Sequence, residues 1–195
     1  MNSCRLQPHP GTPDERVNGI EVRVTAGSGT LRLRYRLHGD LRRIRVPPAS
    51  RAGRADGLWV HTCFEVFVHA GTAPRYLELN FSPSGQWAAY RFSGYRDGGQ
   101  TFELEEPPRI AVRCEGGAGR DGVLELEASV RFAMLTSTVG RKLHLGLCAV
   151  VEDDAGGLSY WALRHAAGRP DFHHPETFAL ELPCPWTATG SHAVP

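Results

Sequence analysis

At 195 residues the chain has the length of a single domain, which is enough to bury most of its apolar surface. A composition of 41% hydrophobic and 22% charged residues excludes a wholly disordered chain. The formal net charge of +1 provides no strong field that would attract nucleic acid or an anionic membrane. We therefore expect a globular protein that binds neither nucleic acid nor a membrane.

The first segment, residues 1–18, is polar and rich in proline, and it lacks the apolar stretch of a secretory signal. We predict that it is flexible. The five cysteines of the chain are widely spaced and include no CxxC pair, which fits neither a zinc site nor a disulfide framework. These features together predict a cytoplasmic protein with reduced thiols.

Most of the remaining chain alternates between apolar and polar residues with a period of two, which is typical of β-strands. This pattern predicts strands at 20–26, 30–38, 59–68, 75–81, 86–92, 109–114, 123–130, 142–151, 158–165 and 177–182, and a helical turn at 132–138. Gly, Pro, Ser and Asp separate these segments, as expected of turns. Short strands without alternating helices predict an all-β, antiparallel two-sheet β-sandwich of the immunoglobulin or jelly-roll type over 19–183, followed by a flexible tail at 184–195.

The segment 30–38 shows the alternation most clearly. One face carries Leu31, Leu33, Tyr35 and Leu37, and the other carries three arginines and His38. The apolar face is expected in the core. The arginines fit a solvated outer face of the sheet, although an anion-binding stripe would give the same pattern.

Residues 76–92, YLELNFSPSGQWAAYRF, predict a β-hairpin with two different faces. If the four residues 82–85 form the loop, Phe81 opposes Gln86 and Asn80 opposes Trp87. One face is then an apolar core face. The other presents the polar and aromatic set Tyr76, Glu78, Asn80, Trp87 and Arg91.

The preceding strand places Glu65 on that same face, and a later hairpin is expected to bring Trp161 opposite Cys148. Aromatic rings that stack, next to Glu, Asn and Arg side chains that form hydrogen bonds, are typical of a site for a sugar or a similar polar ligand. The predicted ligand-binding residues are Glu65, Tyr76, Glu78, Asn80, Trp87, Arg91 and Trp161. The alternative is a solvated outer surface on which Glu78 pairs with Arg91.

Other chemistries have weaker signals in the sequence. Glu65 and Glu78 could form the carboxylate pair of a glycosidase. His165, His173, His174 and Asp171 suggest a metal site by residue type, but their spacing matches no ligand motif. We predict no catalytic residues, no metal and no cofactor.

Segments 58–68, 76–96, 128–135 and 150–182 resemble the bacterial DOMON-like proteins related to the type 9 carbohydrate-binding modules, most specifically in NFSPSGQW and SYWAL…PDFHHP. The resemblance implies a two-sheet sandwich that binds a sugar or haem. We therefore expect a non-catalytic module for a saccharide or a similar polyhydroxylated small molecule. The alternatives are a haem-binding or electron-transfer domain that uses His61, His144 or His165, a glycoside-acting enzyme, and a protein-interaction domain.

Overall fold

β-Strands provide nearly all the regular structure of the computed structural model, which describes residues 2–27, 29–116, 122–131 and 142–183. The strands are β1 (Asn2–Pro8), β2 (Val17–Gly27), β3 (Thr30–Gly39), β4 (Gly53–Arg54), β5 (Cys63–Ala70), β6 (Tyr76–Phe81), β7 (Gln86–Phe92), β8 (Gln100–Thr101), β9 (Arg109–Glu115), β10 (Gly122–Arg131), β11 (Lys142–Glu152), β12 (Leu158–Ala162) and β13 (Leu180–Pro183). Within the described ranges, the helical elements are two 3-10 turns, Leu58–Val60 and Pro175–Thr177. The predicted helical turn at 132–138 and the predicted tail at 184–195 lie outside the described residues.

The strands form one continuous sheet. Its order is β4-β7-β6-β5-β11-β12-β1-β2-β3-β10-β9, with β13 beside β11 and β8 beside β7. The prediction of a two-sheet sandwich is therefore wrong, because this single sheet curls into a half-barrel.

Strand β1 joins the two arms of the sheet. Its residues 2–6 pair with β2, and Gln7 and Pro8 pair with β12. Without β1, β2 and β12 would be edge strands of two separate sheets. The segment that was predicted to be flexible therefore begins with the strand that makes the sheet continuous. Its pattern was hard to recognise, because Leu6 is the only buried residue of this strand.

The two arms face each other across the main hydrophobic core. The first arm consists of β1, β2, β3, β10 and β9, and the second of β12, β11, β5, β6 and β7. The ring of Tyr35 on β3 lies 5.0 Å from that of Phe64 on β5, and its hydroxyl donates to the Glu65 carbonyl oxygen at 2.7 Å. The right-handed twist of strands favours such curling. Each arm therefore has an inner face in this core and an outer face.

The alternation predicted for 30–38 is confirmed. Leu31, Leu33, Tyr35 and Leu37 are at most 2% exposed. On the outer face, Arg34 contacts Glu125 and Glu127, and Arg36 contacts Glu125. These two arginines therefore form ion pairs on an outer sheet face.

The predicted register of the β6–β7 hairpin is wrong by one residue. Phe81 opposes Trp87, and Glu78 opposes Tyr90. The Ser82 N–H donates to the Gln86 carbonyl at 2.9 Å, which closes a three-residue loop. Gly85, at φ 87, takes the left-handed position that such a loop requires. The shift moves Trp87 to the inner face and Tyr90 to the outer face.

Three other predicted strands are shorter than expected, and the one predicted at 177–182 begins only at Leu180. Trp59 and Val60 lie in a 3-10 turn, preceded by Gly57 at φ 71, and β12 ends at Ala162. No helix in the described part of the chain has the length and apolar character needed to cross a membrane.

Candidate functional site

A cleft of about 390 Å³ lies on the outer face of the second arm. Six aromatic side chains line it: Trp59, Phe67, Tyr90, Phe92, Tyr160 and Phe172. Its polar lining includes Glu65, Glu78, Arg96 and His173. The cleft combines apolar walls with a few convergent polar groups, which is the usual composition of a small-molecule site.

Two buried glutamates contribute to the polar lining. Glu65 on β5 opposes Asn80 on β6, so Glu78, two residues away, lies diagonally across from Glu65 on the same face. Glu65 is 3% exposed and Glu78 is 6% exposed. The Asn80 side-chain amide donates to Glu78 Oε1 at 2.8 Å. Glu65 Oε1 and Asn80 Oδ1 are buried and have no hydrogen-bond partner among the described residues.

Burial changes the protonation of both carboxyls. It raises the pKa of Glu65 well above its usual value, and the charge of nearby Glu78 adds to the effect. Burial also raises the pKa of Glu78, although the Asn80 hydrogen bond and the charge of Arg96 oppose this rise. The two carboxyls therefore resist being ionised together, since two negative charges in one desolvated place repel each other.

His173 stands beside Glu78 in the wall of the cleft. Its Nδ1 lies 2.8 Å from the Tyr76 hydroxyl, and its Nε2 lies 3.7 Å from Glu78 Oε2. The Tyr76 hydroxyl also accepts from the Arg96 backbone N–H at 3.2 Å. Burial, followed by the charge of Arg96, lowers the pKa of His173 to about 4. The imidazole is therefore neutral at neutral pH.

Asp171 connects the two loop segments of this wall, residues 95–96 and 171–173. Its carboxylate accepts from Arg96 Nη2 at 2.7 Å and from the His173 backbone N–H at 3.0 Å, and the Tyr95 hydroxyl also donates to it. Arg96 has φ 54, a left-handed conformation that is unusual for a residue other than glycine. Such a conformation persists where the surrounding contacts hold it, as this ion pair and the Tyr76 contact do here.

The segment that carries Phe172 and His173 packs closely against the backbone of β11. The Thr177 hydroxyl donates to the Phe172 carbonyl at 2.7 Å. Gly146 on β11 lies under this turn, and a Cβ there would lie 3.3 Å from the Thr177 carbonyl oxygen. The absence of a side chain at Gly146 therefore allows a loop to pack on the outer face.

The structure places the seven predicted ligand-binding residues in different environments. Glu65 and Glu78 line the cleft. Tyr76 and Asn80 lie behind it as buried partners of His173 and Glu78.

The other three predicted residues lie elsewhere. Trp87 and Trp161 are 8% and 4% exposed and belong to the main core, where Trp161 opposes Ala149 and not Cys148. Arg91 is exposed and donates to the Gln100 side chain at 2.8 Å. The predicted pairing of Glu78 with Arg91 is likewise absent from the described contacts, since Arg91 lies opposite Leu77.

Several residues of the cleft were not predicted from the sequence. Tyr90 and Phe92 were assigned to the core because the hairpin register was displaced by one. Tyr160 adjoins Trp161, and the alternation of β12 allowed either side chain to face outward. Phe172 and His173 lie in a loop, where periodicity gives no information. The usable signal was the alternation along β5, which directs Phe67 to the same outer face as Glu65.

The histidines considered for haem have other contacts. His61 Nδ1 lies 2.6 Å from Glu152 Oε2, and His165 Nε2 lies 2.9 Å from the Gln7 carbonyl oxygen. His144 lies opposite His69 on β5 and Glu181 on β13. None of these three lines the cleft. The described residues include no group of three or more His, Cys, Asp or Glu side chains that could hold a metal ion.

A prediction on pH follows from the buried imidazole. Because the pKa of folded His173 is about 4, below the ordinary histidine value of 6.5, the unfolded chain binds a proton first as the pH falls from 6.5 to 4. Folding stability is lost over this interval, by up to about 3 kcal/mol, since one pKa unit corresponds to about 1.4 kcal/mol. The variant His173→Asn should lose less stability than the wild type between pH 7 and pH 4.5 in urea denaturation. Equal losses in the two proteins would contradict the neutral imidazole.

One solved structure with a similar fold is described as a "putative carbohydrate-binding protein" from Bacteroides uniformis. The match has a TM-score of 0.66 at 14% sequence identity, and it covers 91% of this chain and 84% of that one. At this identity the likeness establishes a shared fold and nothing more specific. No family model and no curated protein matches the sequence.

Proposed function

We propose that the chain is a non-catalytic binding module whose outer cleft takes a saccharide or a similar polyhydroxylated small molecule. The observation that carries this proposal is the set of aromatic side chains around two buried carboxyls in one open cleft. Aromatic faces pack against the C–H faces of sugar rings, and carboxyl oxygens accept hydrogen bonds from hydroxyls. The described function of the Bacteroides uniformis protein agrees with this proposal.

The size of the cleft fits a small ligand. At about 390 Å³ it lies near the lower end of the range of small-molecule sites, roughly 300–1,000 Å³. Trp59 and Tyr90 form one side, with ring centroids 5.7 Å apart, and Tyr160 and Phe172 form another, at 5.9 Å. A sugar ring bound in the cleft would contact aromatic carbon while its hydroxyls reach Glu65 and Glu78.

The resemblance to DOMON-like proteins and type 9 modules supports the same class of ligand. The two-sheet sandwich that the resemblance implied is contradicted by the single continuous sheet. The aromatic residues that would contact a sugar here are also different from those first expected, because Trp87 and Trp161 lie in the core. The resemblance therefore contributes to the proposed ligand class and not to the choice of site residues.

The decisive variant is Trp59→Ala. Trp59 is 42% exposed and lies in a short turn at the cleft, so its removal should leave the fold intact. Titration calorimetry with a panel of mono- and disaccharides should find a binding sugar for the wild type and a loss of about 2- to 13-fold in affinity for the variant, which corresponds to about 0.5–1.5 kcal/mol for one aromatic contact.

A matched control comes from the same turn. Val60 is 53% exposed and does not line the cleft, so Val60→Ala should bind like the wild type. Absence of binding across the whole panel would overturn the proposed function. Equal affinities of Trp59→Ala and the wild type would mean that Trp59 does not contact the ligand.

Glycoside hydrolysis is a second candidate, favoured by the two carboxyls of raised pKa in one cleft. Such a pair supplies the acid and the base or nucleophile of a glycosidase. Turnover of aryl glycosides by the wild type, abolished in Glu65→Gln and Glu78→Gln, would establish it. Sugar binding without turnover favours the binding module.

A further inference from the structure

One hydrogen-bond acceptor in the cleft and one behind it lack a donor in the part of the chain that the structure describes. Glu65 Oε1 and Asn80 Oδ1 have no partner among the described residues, although Glu65 is 3% exposed and Asn80 fully buried. Glu65 itself faces the cleft. Burying an acceptor without a partner is unfavourable, so a ligand that brings donors to this place would gain more than one that brings acceptors.

Among the described residues, no free cation lies beside the two carboxyls. The Arg96 guanidinium is bonded to Asp171 at 2.7 Å. His173 is 3.7 Å from Glu78 but stays neutral at neutral pH, since its pKa is lowered to about 4. A buried carboxylate is stable only when paired, so the raised pKa values of the two glutamates oppose their joint ionisation unless a ligand provides positive charge.

We propose that the ligand of this cleft carries a protonated primary amine, as an unacetylated amino sugar does, and that Glu65 and Glu78 bind this ammonium group. This inference rests on the proposed saccharide function and specifies its ligand class. An ammonium group brings three donors and no acceptor, which matches the unpaired Glu65 Oε1 in the cleft. Acetylation of the amine would remove its charge and two of its donors.

The aromatic walls suit the same chemistry. Aromatic faces attract cations, with the strongest effect where water is excluded. The rings of Phe67 and Phe92 each lie near His173, with centroids 5.1 and 5.0 Å from the imidazole, and therefore near the side of the cleft where Glu78 lies. A hexosamine could thus place its ammonium against the carboxyls and its C–H faces against the rings.

The proposal includes a proton balance, which depends on every titratable group around the carboxyls. These groups are Tyr35 on β3, Tyr76 and Glu78 on β6, Tyr90 on β7, Cys63 and Glu65 on β5, Cys148 on β11, Tyr160 on β12, Arg96 after β7, and Asp171 and His173 in the segment after β12. Burial raises the pKa of both buried thiols, so Cys63 and Cys148 remain uncharged. The bound ammonium would therefore ionise a glutamate and release its proton to solvent.

The sign of the pH effect follows from this release. As the pH rises through the titration of the free glutamates, less work is needed to ionise them, so the affinity for an ammonium ligand should rise. Binding of a neutral hexose leaves the carboxyls protonated and should show no such rise. Proton release is measured by titration calorimetry at one pH in two buffers of different ionisation enthalpy.

The experiment compares D-glucosamine, D-galactosamine and D-mannosamine with the matching neutral hexoses and with N-acetyl-D-glucosamine, using the whole chain. At least one hexosamine should bind about tenfold or more tightly than its neutral counterpart at pH 6.5, corresponding to about 1.4 kcal/mol or more. Its binding should release protons, and the N-acetyl form should lose the advantage.

Two variants locate the ammonium. Glu65→Gln and Glu78→Gln keep the size of the side chains but cannot ionise, so each should lower the affinity for the amine about tenfold more than it lowers the affinity for the neutral hexose. Glu21→Gln, on the outer face of the first arm, is the matched control and should keep the preference. Thermal denaturation of each variant establishes that it is folded before titration.

The outcomes separate the inference from the function on which it rests. Equal binding of amino and neutral sugars, or a preference that survives both glutamate substitutions, overturns the ammonium site and leaves the saccharide module standing. Absence of binding by all of the sugars overturns both. A preference that only the two cleft variants remove, accompanied by proton release, supports both.

Discussion

The variant Trp87→Ala should lower the free energy of unfolding by about 3–5 kcal/mol, which is the usual cost of removing a large aromatic side chain from a core. Trp87 is 8% exposed and belongs to the main core between the two arms. It lies opposite Phe81, directly after the loop that ends at Gly85. Its loss would leave a cavity where the hairpin packs against the first arm. Urea denaturation followed by circular dichroism measures the difference.

This result would reverse the expectation from sequence, in which Trp87→Ala removes ligand binding and leaves the fold intact. The informative comparison is Trp59→Ala, because Trp59 is 42% exposed and should change the stability by less than about 0.5 kcal/mol. Trp59 should thus have the role in binding that the sequence pattern predicted for Trp87. A stable, folded Trp87→Ala protein that no longer binds its ligand would contradict the observed register.

The second large effect is expected at Leu6. Leu6→Ala should destabilise the protein by about 2–5 kcal/mol, because Leu6 is 1% exposed and packs in the main core. The residue also sits at the point where β1 leaves β2, since Leu6 pairs with Ile20 and the next residue pairs with Ala162. Loss of its packing would therefore weaken the contact between the two arms. Chemical denaturation gives the size of the effect.

Neighbouring Gln7 provides the control for Leu6. Its side chain is exposed, while its backbone carbonyl lies 2.9 Å from His165 Nε2. Gln7→Ala keeps that backbone contact and should change stability by less than about 0.5 kcal/mol. If Leu6→Ala were equally neutral, strand β1 would contribute little to holding the sheet together.

Local patterns were sufficient to predict most strands, for a clear physical reason. Side chains of a strand alternate between two faces, so a strand with one buried face shows that burial in its own sequence. Leu31, Leu33 and Leu37 follow this rule and lie in the core. Strand β1 breaks it, because Leu6 is its only fully buried side chain, and so the strand that makes the sheet continuous was missed.

The candidate site was predicted only in part. Glu65 and Glu78 were placed correctly on one outer face, since each strand has its own clear alternation. The partner strand β7 is apolar on both faces around Trp87–Tyr90, so its pattern alone could not fix the register. The conformation of the loop that ends at Gly85 fixed it, and that conformation put Tyr90 and not Trp87 on the outer face.

By itself, the sequence determined that this is an all-β chain and that Glu65, Phe67 and Glu78 point away from its core. These properties depend on neighbours along one strand, which the sequence displays directly. The tertiary structure decided that the strands form one curled sheet and that Phe172, His173 and Arg96 close a cleft over the glutamates. Those features depend on contacts between residues far apart in the chain, such as the Arg96–Asp171 ion pair, and no local period encodes them.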